Sequence, residues 1–190
     1  MKRLLTTLVS AFLLGSTALF GQIGGEDVTV GEVTFLLADD YEIAAREQLP
    51  DGEACLIVPK GTSDRSNRLI LKIHPDFLNN INGLTGEEVK DMLNNAVDKL
   101  AGVLVNEQKS NFKIKGKYRI QHDDNAKGTY FPNSYCYLNF SDAGGKAYRS
   151  FTQAVLVNGH LVSGCCIAND EGYLAAFSEI LSFAINGALL

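Results

Sequence analysis

The chain has 190 residues, with 17 Lys and Arg against 22 Asp and Glu, and a formal net charge of −5. That acidic balance argues against nucleic acid or an anionic membrane surface as a general partner, because both would repel it. With 46% hydrophobic and 21% charged residues the composition is that of an ordinary globular domain, and no internal repeat or low-complexity tract interrupts it.

Met1-Lys2-Arg3 places positive charge before an uncharged run from Leu4 to Phe20, followed by the small residue Gly21 and polar Gln22. This is the three-part layout of a secretory signal peptide. Thr6, Thr7, Ser10, Gly15, Ser16 and Thr17 dilute the run, and a membrane anchor needs about 20 strongly apolar residues. Export with cleavage between Gly21 and Gln22 is therefore expected, which leaves 22–190 as one domain in the periplasm or secreted. Loss of Lys2 and Arg3 moves the net charge from −5 to −7. A lipid anchor is disfavoured because the first cysteine is Cys55, far from the cut. No later stretch is apolar enough to span a bilayer.

Val28 to Ala45 alternates like strands, with Gly31-Glu32 suited to a tight turn and Asp39-Asp40 as an interruption. Ala54 to Val58 and Leu69 to Ile73 are short apolar segments on either side of a loop rich in Pro, Gly, Ser and Asn. A helix is predicted to start at Thr85, where Thr85 and Glu88 make a capping box. Behind it Val89, Met92, Leu93, Ala96, Val97 and Leu100 form one apolar stripe.

From Phe112 to Ile120 the spacing predicts one strand, with Phe112, Ile114, Tyr118 and Ile120 alternating with Lys113, Lys115, Lys117 and Arg119. Further strands are predicted at Ser134 to Phe140, Ala147 to Val157 and His160 to Ala168. Asn158-Gly159 is a strong type I′ hairpin signal, and it sets Val157 opposite His160. A last helix is capped by Asn169 or Asp170, carries Tyr173, Phe177, Leu181 and Ala184 along one side, and stops at Asn186-Gly187. Strands and helices in segregated order predict an α+β fold, an antiparallel sheet flanked by helices.

The closing segment, Gln153-Ala154-Val155-Leu156-Val157-Asn158-Gly159-His160-Leu161-Val162-Ser163 and then Tyr173 to Phe183, resembles the final hairpin and helix of the PsbP-like superfamily. Those proteins are α/β/α sandwiches that include photosystem extrinsic subunits, bacterial DcrB-type envelope proteins and a Ran-binding import factor. The resemblance implies a non-catalytic binding or assembly role. It transfers no functional residue, and the lack of a lipidated cysteine departs from the DcrB-type lipoproteins.

Candidate chemistry is sparse. His74, His122 and His160 stand at no metal-ligand spacing from one another or from a cysteine. Asp123-Asp124-Asn125-Ala126-Lys127-Gly128 starts like a calcium loop, but Lys127 and Ser134 occupy ligand positions five and twelve, so it reads as a turn. No nucleophile elbow, phosphate loop or zinc-protease helix is present, and neither cofactor nor metal is expected. The basic stripe of Lys113, Lys115, Lys117 and Arg119 has two readings: a dock for an acidic partner or polyanion, or edge lysines that oppose strand-to-strand aggregation.

Export permits disulfides among the four cysteines. The hairpin register sets Thr152 opposite Cys165 and Phe151 opposite Cys166, with Cys136 one strand beyond, two strand spacings or about 9.6 Å from either. Bridged Cα atoms lie within about 7 Å, so Cys136 is not expected to pair with them. Neighbours Cys165 and Cys166 point to opposite faces. Cys55 with Cys165 or Cys166 is the remaining bridge, and buried free thiols are the other outcome. The leading expectation is an exported, non-catalytic envelope binding module for a protein or small ligand. The alternatives are a thiol-active protein using Cys165 and Cys166, or a hydrolase with a dispersed site.

Overall fold

The computed structural model describes residues 24–63, 65–75, 77, 84–108, 112–114, 120–123, 131–142 and 144–190, the backbone alone at 103–108, 112–114, 122–123 and 142. Along the chain run β1 (Gly25–Val30), β2 (Val33–Ala38), β3 (Tyr41–Leu49), β4 (Gly52–Pro59), β5 (Arg68–His74) and α1 (Gly86–Gln108). There follow β6 (Phe112–Ile114), β7 (Gln121–Asp123), β8 (Asn133–Asp142), β9 (Ala147–Val157), β10 (His160–Ala168) and α2 (Glu171–Gly187). The predicted signal segment 1–21 lies outside the described residues.

β1 and β2 pair as a separate hairpin closed by Gly31 and Glu32, both at positive φ (50° and 73°). The other strands form one sheet in the order β3-β4-β5-β10-β9-β8-β6, with β7 also on β8, and every pairing described is antiparallel. This is the helix-flanked antiparallel sheet that the segregated element order predicts. β10 is central, and after His160 all its residues are buried, because a layer covers each of its faces.

On one face α1 presents Leu93, Val97 and Ala101 to Leu138, Phe140, Ala154, Cys165 and Ile167. On the other, Phe177, Ile180, Leu181 and Ala184 of α2 join Val33, Phe35 and Leu37 of the hairpin over Leu69, Leu71, Val162 and Cys166. α2 seats closely because Gly164 has no side chain: a Cβ there would stand 2.7 Å from Leu181 Cδ1.

Local signals set the element ends. The Thr85 amide donates to Glu88 Oε2 at 2.8 Å and the Glu88 amide to Thr85 Oγ1 at 3.3 Å, which completes the expected capping box. Asp170 caps α2 by accepting from the Gly172 amide at 2.7 Å, whereas the Asn169 amide donates to Asn67 Oδ1 at 2.9 Å. Asn158 and Gly159 take φ of 45° and 86°, and the register runs from Val157 opposite His160 to Arg149 opposite Ala168.

One expected element is different. The strand predicted over Phe112 to Ile120 is described only as β6, and β7 follows on the same edge of β8 in a shifted register. Ile114 pairs with Phe140 and Gln121 with Tyr135, so seven steps along the chain answer five along β8. Two surplus residues are incompatible with one continuous ladder, because pairing advances one residue on each strand at a time.

Candidate functional site

α2 and the β1–β2 hairpin pack against β3, β4, β5, β9 and β10. On the same side, Asn133, Tyr135, Tyr137 and Asn139 of β8 reach the surface while Ser134, Cys136, Leu138 and Phe140 point to the α1 side and are buried. Tyr137 is consequently 60% exposed, although it stands in mid-strand. It pairs with Phe151 of β9, and their rings lie 4.9 Å apart and tilted by 31°. Tyr135 closes the group, its ring 6.0 Å from Tyr137 and 6.4 Å from Phe151. Phe151 also pairs with buried Cys166 and packs on the core beneath α2, so the row Cys166-Phe151-Tyr137 runs from the interior to the surface.

Polar groups hold and border these rings. Tyr135 Oη donates to Gln121 Oε1 at 2.9 Å, which fixes that ring against β7. Gln153 Nε2 reaches Asn133 Oδ1 at 3.4 Å, and Asn133 Nδ2 donates to the Phe131 carbonyl at 3.2 Å. Arg149 pairs with Glu171 in the first turn of α2, and Asn139, opposite Arg149, is exposed. An exposed aromatic group rimmed by amides on a rigid sheet is the arrangement that binding surfaces use. Sequence reasoning placed strand Ser134 to Phe140 but not this surface. The alternation Tyr135-Cys136-Tyr137 was visible, whereas its apposition to Phe151 depends on the register across the β8–β9 connection.

The predicted site residues are dispersed. Lys113 pairs with Ser141 near the end of β8, while Lys115, Lys117 and Arg119 lie outside the described residues. All four cysteines are free and buried. Cys136, Thr152 and Cys165 form a row across β8, β9 and β10, with Thr152 Oγ1 donating to Cys165 Sγ at 3.0 Å. The bridge from Cys55 to Cys165 or Cys166 is not formed. Cys55 faces Leu71 and Leu71 faces Gly164, so β5 separates it from β10 by the same two-strand gap that isolates Cys136.

Burial pushes the Cys55 thiol up to about 12 and Cys136 to about 11. It raises Cys166 well above its ordinary value too, with the Cys165 thiol adding to the effect. Thiol chemistry needs a thiolate in an electropositive, accessible setting. All four positions are enclosed, which argues against the thiol-active alternative.

One side-chain pair escaped the sequence reading. His74, 5% exposed at the end of β5, has Nδ1 3.0 Å from Asp51 Oδ2 and 3.1 Å from the Asp51 carbonyl. Its ring meets Phe77 edge-on with centroids 6.0 Å apart. Burial lowers the His74 pKa and Lys72 adds to this, against the opposing pull of Asp51. The ring is therefore neutral near pH 7, with Nδ1–H donating to Asp51. The pair ties the Asp51-Gly52 turn to the end of β5.

Among the described residues, no group of three or more His, Cys, Asp or Glu could hold a metal ion, and no helix is long and apolar enough to cross a membrane. No family model matches the chain, and no curated protein matches it in sequence. The class defined here is an α+β domain with an antiparallel sheet between helical layers. In fold it is similar to the solution structure of cyanobacterial PsbP (CyanoP) from Synechocystis sp. PCC 6803, at a TM-score of 0.45 and 10% identity over 90% of this chain and 97% of that one.

Proposed function

We propose that this chain is an exported, non-catalytic binding module of the cell envelope, and that it docks its ligand on the β8–β9 face around Tyr137. The observation that carries the reading is the mid-strand exposure of Tyr137 with Tyr135 and Phe151 against it. A tyrosine left open on a sheet face forgoes burial that its neighbours on β9 and β10 obtain, and large exposed aromatic groups mark interaction sites. Rigidity suits the role: the rings stand on paired strands, and Gln121 holds Tyr135, so little side-chain freedom is lost on binding. Export rests on the charged start, uncharged run and small residue of 1–21.

Two measurements test this. N-terminal sequencing of the protein recovered from its producing cell should begin at Gln22, and a start at Met1 would defeat the export reading. A photo-crosslinking amino acid at position 137 should yield a defined adduct in the native cell, while one at exposed Glu47 on β3 should not. Equal labelling at both positions would defeat the docking reading.

A further inference from the structure

We propose that Asn158 is a self-modification site, where the chain converts an asparagine to isoaspartate and so loosens its own central hairpin. This is independent of the docking reading. Asn-Gly is the dipeptide most open to the reaction, because a following residue without a side chain leaves its amide free to be approached. The chain holds three such pairs, at Asn82, Asn158 and Asn186. Asn82 lies outside the described residues, and the other two stand in opposite settings.

Asn158 is exposed at the tip of the β9–β10 hairpin. The ladder closes with Val157 opposite His160, so the peptide between Asn158 and Gly159 lies outside it. Asn186 is exposed as well, but its glycine is held. Gly187 ends α2, and the Ala188 amide after it still donates to the Ala184 carbonyl at 3.1 Å. A Cβ on Gly187 would stand 2.2 Å from the Thr34 carbonyl oxygen, and Ala188 is 2% exposed, so this helix end is pinned to β2. Opening a surface turn costs little, whereas lifting a packed helix end disturbs a layer of the core.

The chemistry is a ring closure followed by hydrolysis. The Gly159 nitrogen bonds to Asn158 Cγ, the Cγ–Nδ2 bond breaks, and the departing nitrogen leaves as ammonia with the proton that Gly159 gave up. Water then opens the cyclic imide. Cleavage between the Asn158 main-chain carbonyl carbon and the Gly159 nitrogen leaves the chain running through Cγ, which is isoaspartate, while cleavage of the new bond gives aspartate. Isoaspartate adds a methylene to the backbone of a two-residue turn that sets the register of β9 on buried β10.

The test incubates the full chain at mildly alkaline pH, which favours the deprotonated amide, and locates the products by peptide mass and isoaspartyl methyltransferase labelling. In native protein Asn158 should convert at least about tenfold faster than Asn186, and in urea the two rates should converge, since the dipeptides are the same. The isoaspartyl fraction, separated by the negative charge it gains, should melt about 5 °C below the parent. Asn158→Asp adds that charge without lengthening the backbone and should melt with the parent. Equal native rates at the two sites, a difference that persists in urea, or an isoaspartyl form that melts with the parent would overturn the inference.

Discussion

Glu53 of β4 reaches out of the main sheet to accept the backbone amide of Gly31 at the tip of the β1–β2 hairpin, Oε2 to N 3.0 Å. Its other oxygen takes Arg46 Nη1 at 2.9 Å, and the same nitrogen donates to the Thr29 carbonyl at 2.7 Å. One carboxylate thus joins the tip of the hairpin to the sheet whose far side α1 covers. The Gly31 amide is the largest influence holding the Glu53 pKa below its ordinary 4.5, with Arg46 also lowering it against a smaller opposing effect of burial.

Glu53→Ala should therefore destabilise the protein by about 1–2 kcal/mol, the lower part of the range for hydrogen bonds to a charged group, since water partly screens the Arg46 pair. Urea unfolding at neutral pH measures it. A carboxyl with a depressed folded pKa contributes stability that is complete above the unfolded value and is lost as pH falls through the folded one. The wild type should accordingly lose an increment of stability below pH 4.5 that the Ala variant never had. Parallel acid limbs for the two proteins would refute the assignment.

His74 gives a second, separate pH window. Its folded pKa lies below the ordinary 6.5 because burial opposes the charged ring. Stability attributable to it is thus full above about pH 6.5 and declines as pH falls from there toward the lower folded value, because the unfolded chain takes up the proton first. His74→Gln should flatten that decline while lowering stability at neutral pH by about 1–2 kcal/mol through loss of a buried partner for Asp51. Urea midpoints across this range compare the two proteins, and an unaltered slope in the variant would show that His74 does not titrate as described.

Much of this fold was legible because its strongest determinants are local. The Asn158-Gly159 dipeptide sets the β9–β10 register, and the Thr85-Glu88 box starts α1, through contacts within a few residues. The break between β6 and β7 was hidden because apolar and basic residues keep alternating from Phe112 to Ile120. The sequence sign is Gly116, a residue type that weakens a strand interior. His74 and Asp51 are 23 positions apart and meet only through the β4–β5 pairing. The aromatic face was hidden for the same reason: Tyr137 and Phe151 look like ordinary core residues until it is known that α2 covers β10 and β9.

The lysines of the predicted stripe make a prediction that separates solubility from recognition. With the ligand on the Tyr137 face, the stripe acts as protection against edge-to-edge pairing. Replacing Lys113, Lys115 and Lys117 with Gln should then promote aggregation, seen as light scattering at high protein concentration, and leave ligand binding intact. If the triple variant stays monomeric but loses a salt-sensitive interaction, the stripe is the dock and its reading as edge protection is wrong.

The cysteines carry the last prediction. Cys55 and Cys166 lie on the α2 side and Cys136 and Cys165 on the α1 side, all four enclosed. A thiol held at about 11 or 12 presents almost no thiolate at neutral pH, and an enclosed sulfur cannot be approached in line by a disulfide reagent. Ellman's reagent should therefore titrate essentially no thiol in the native mature protein and all four after denaturation. Modification should follow the opening of the fold and be insensitive to reagent concentration once opening limits the rate. The chain recovered from its producing cell should show the same four reactive thiols without prior reduction. Peptide mapping supplies the decisive alternative: a bond between Cys136 and Cys165 would require the Thr152 strand to leave the space between them, and its detection would overturn the β8-β9-β10 order. A single thiol that reacts rapidly in native protein would show that one of these side chains is open to solvent, and would restore the thiol-active reading that burial argues against.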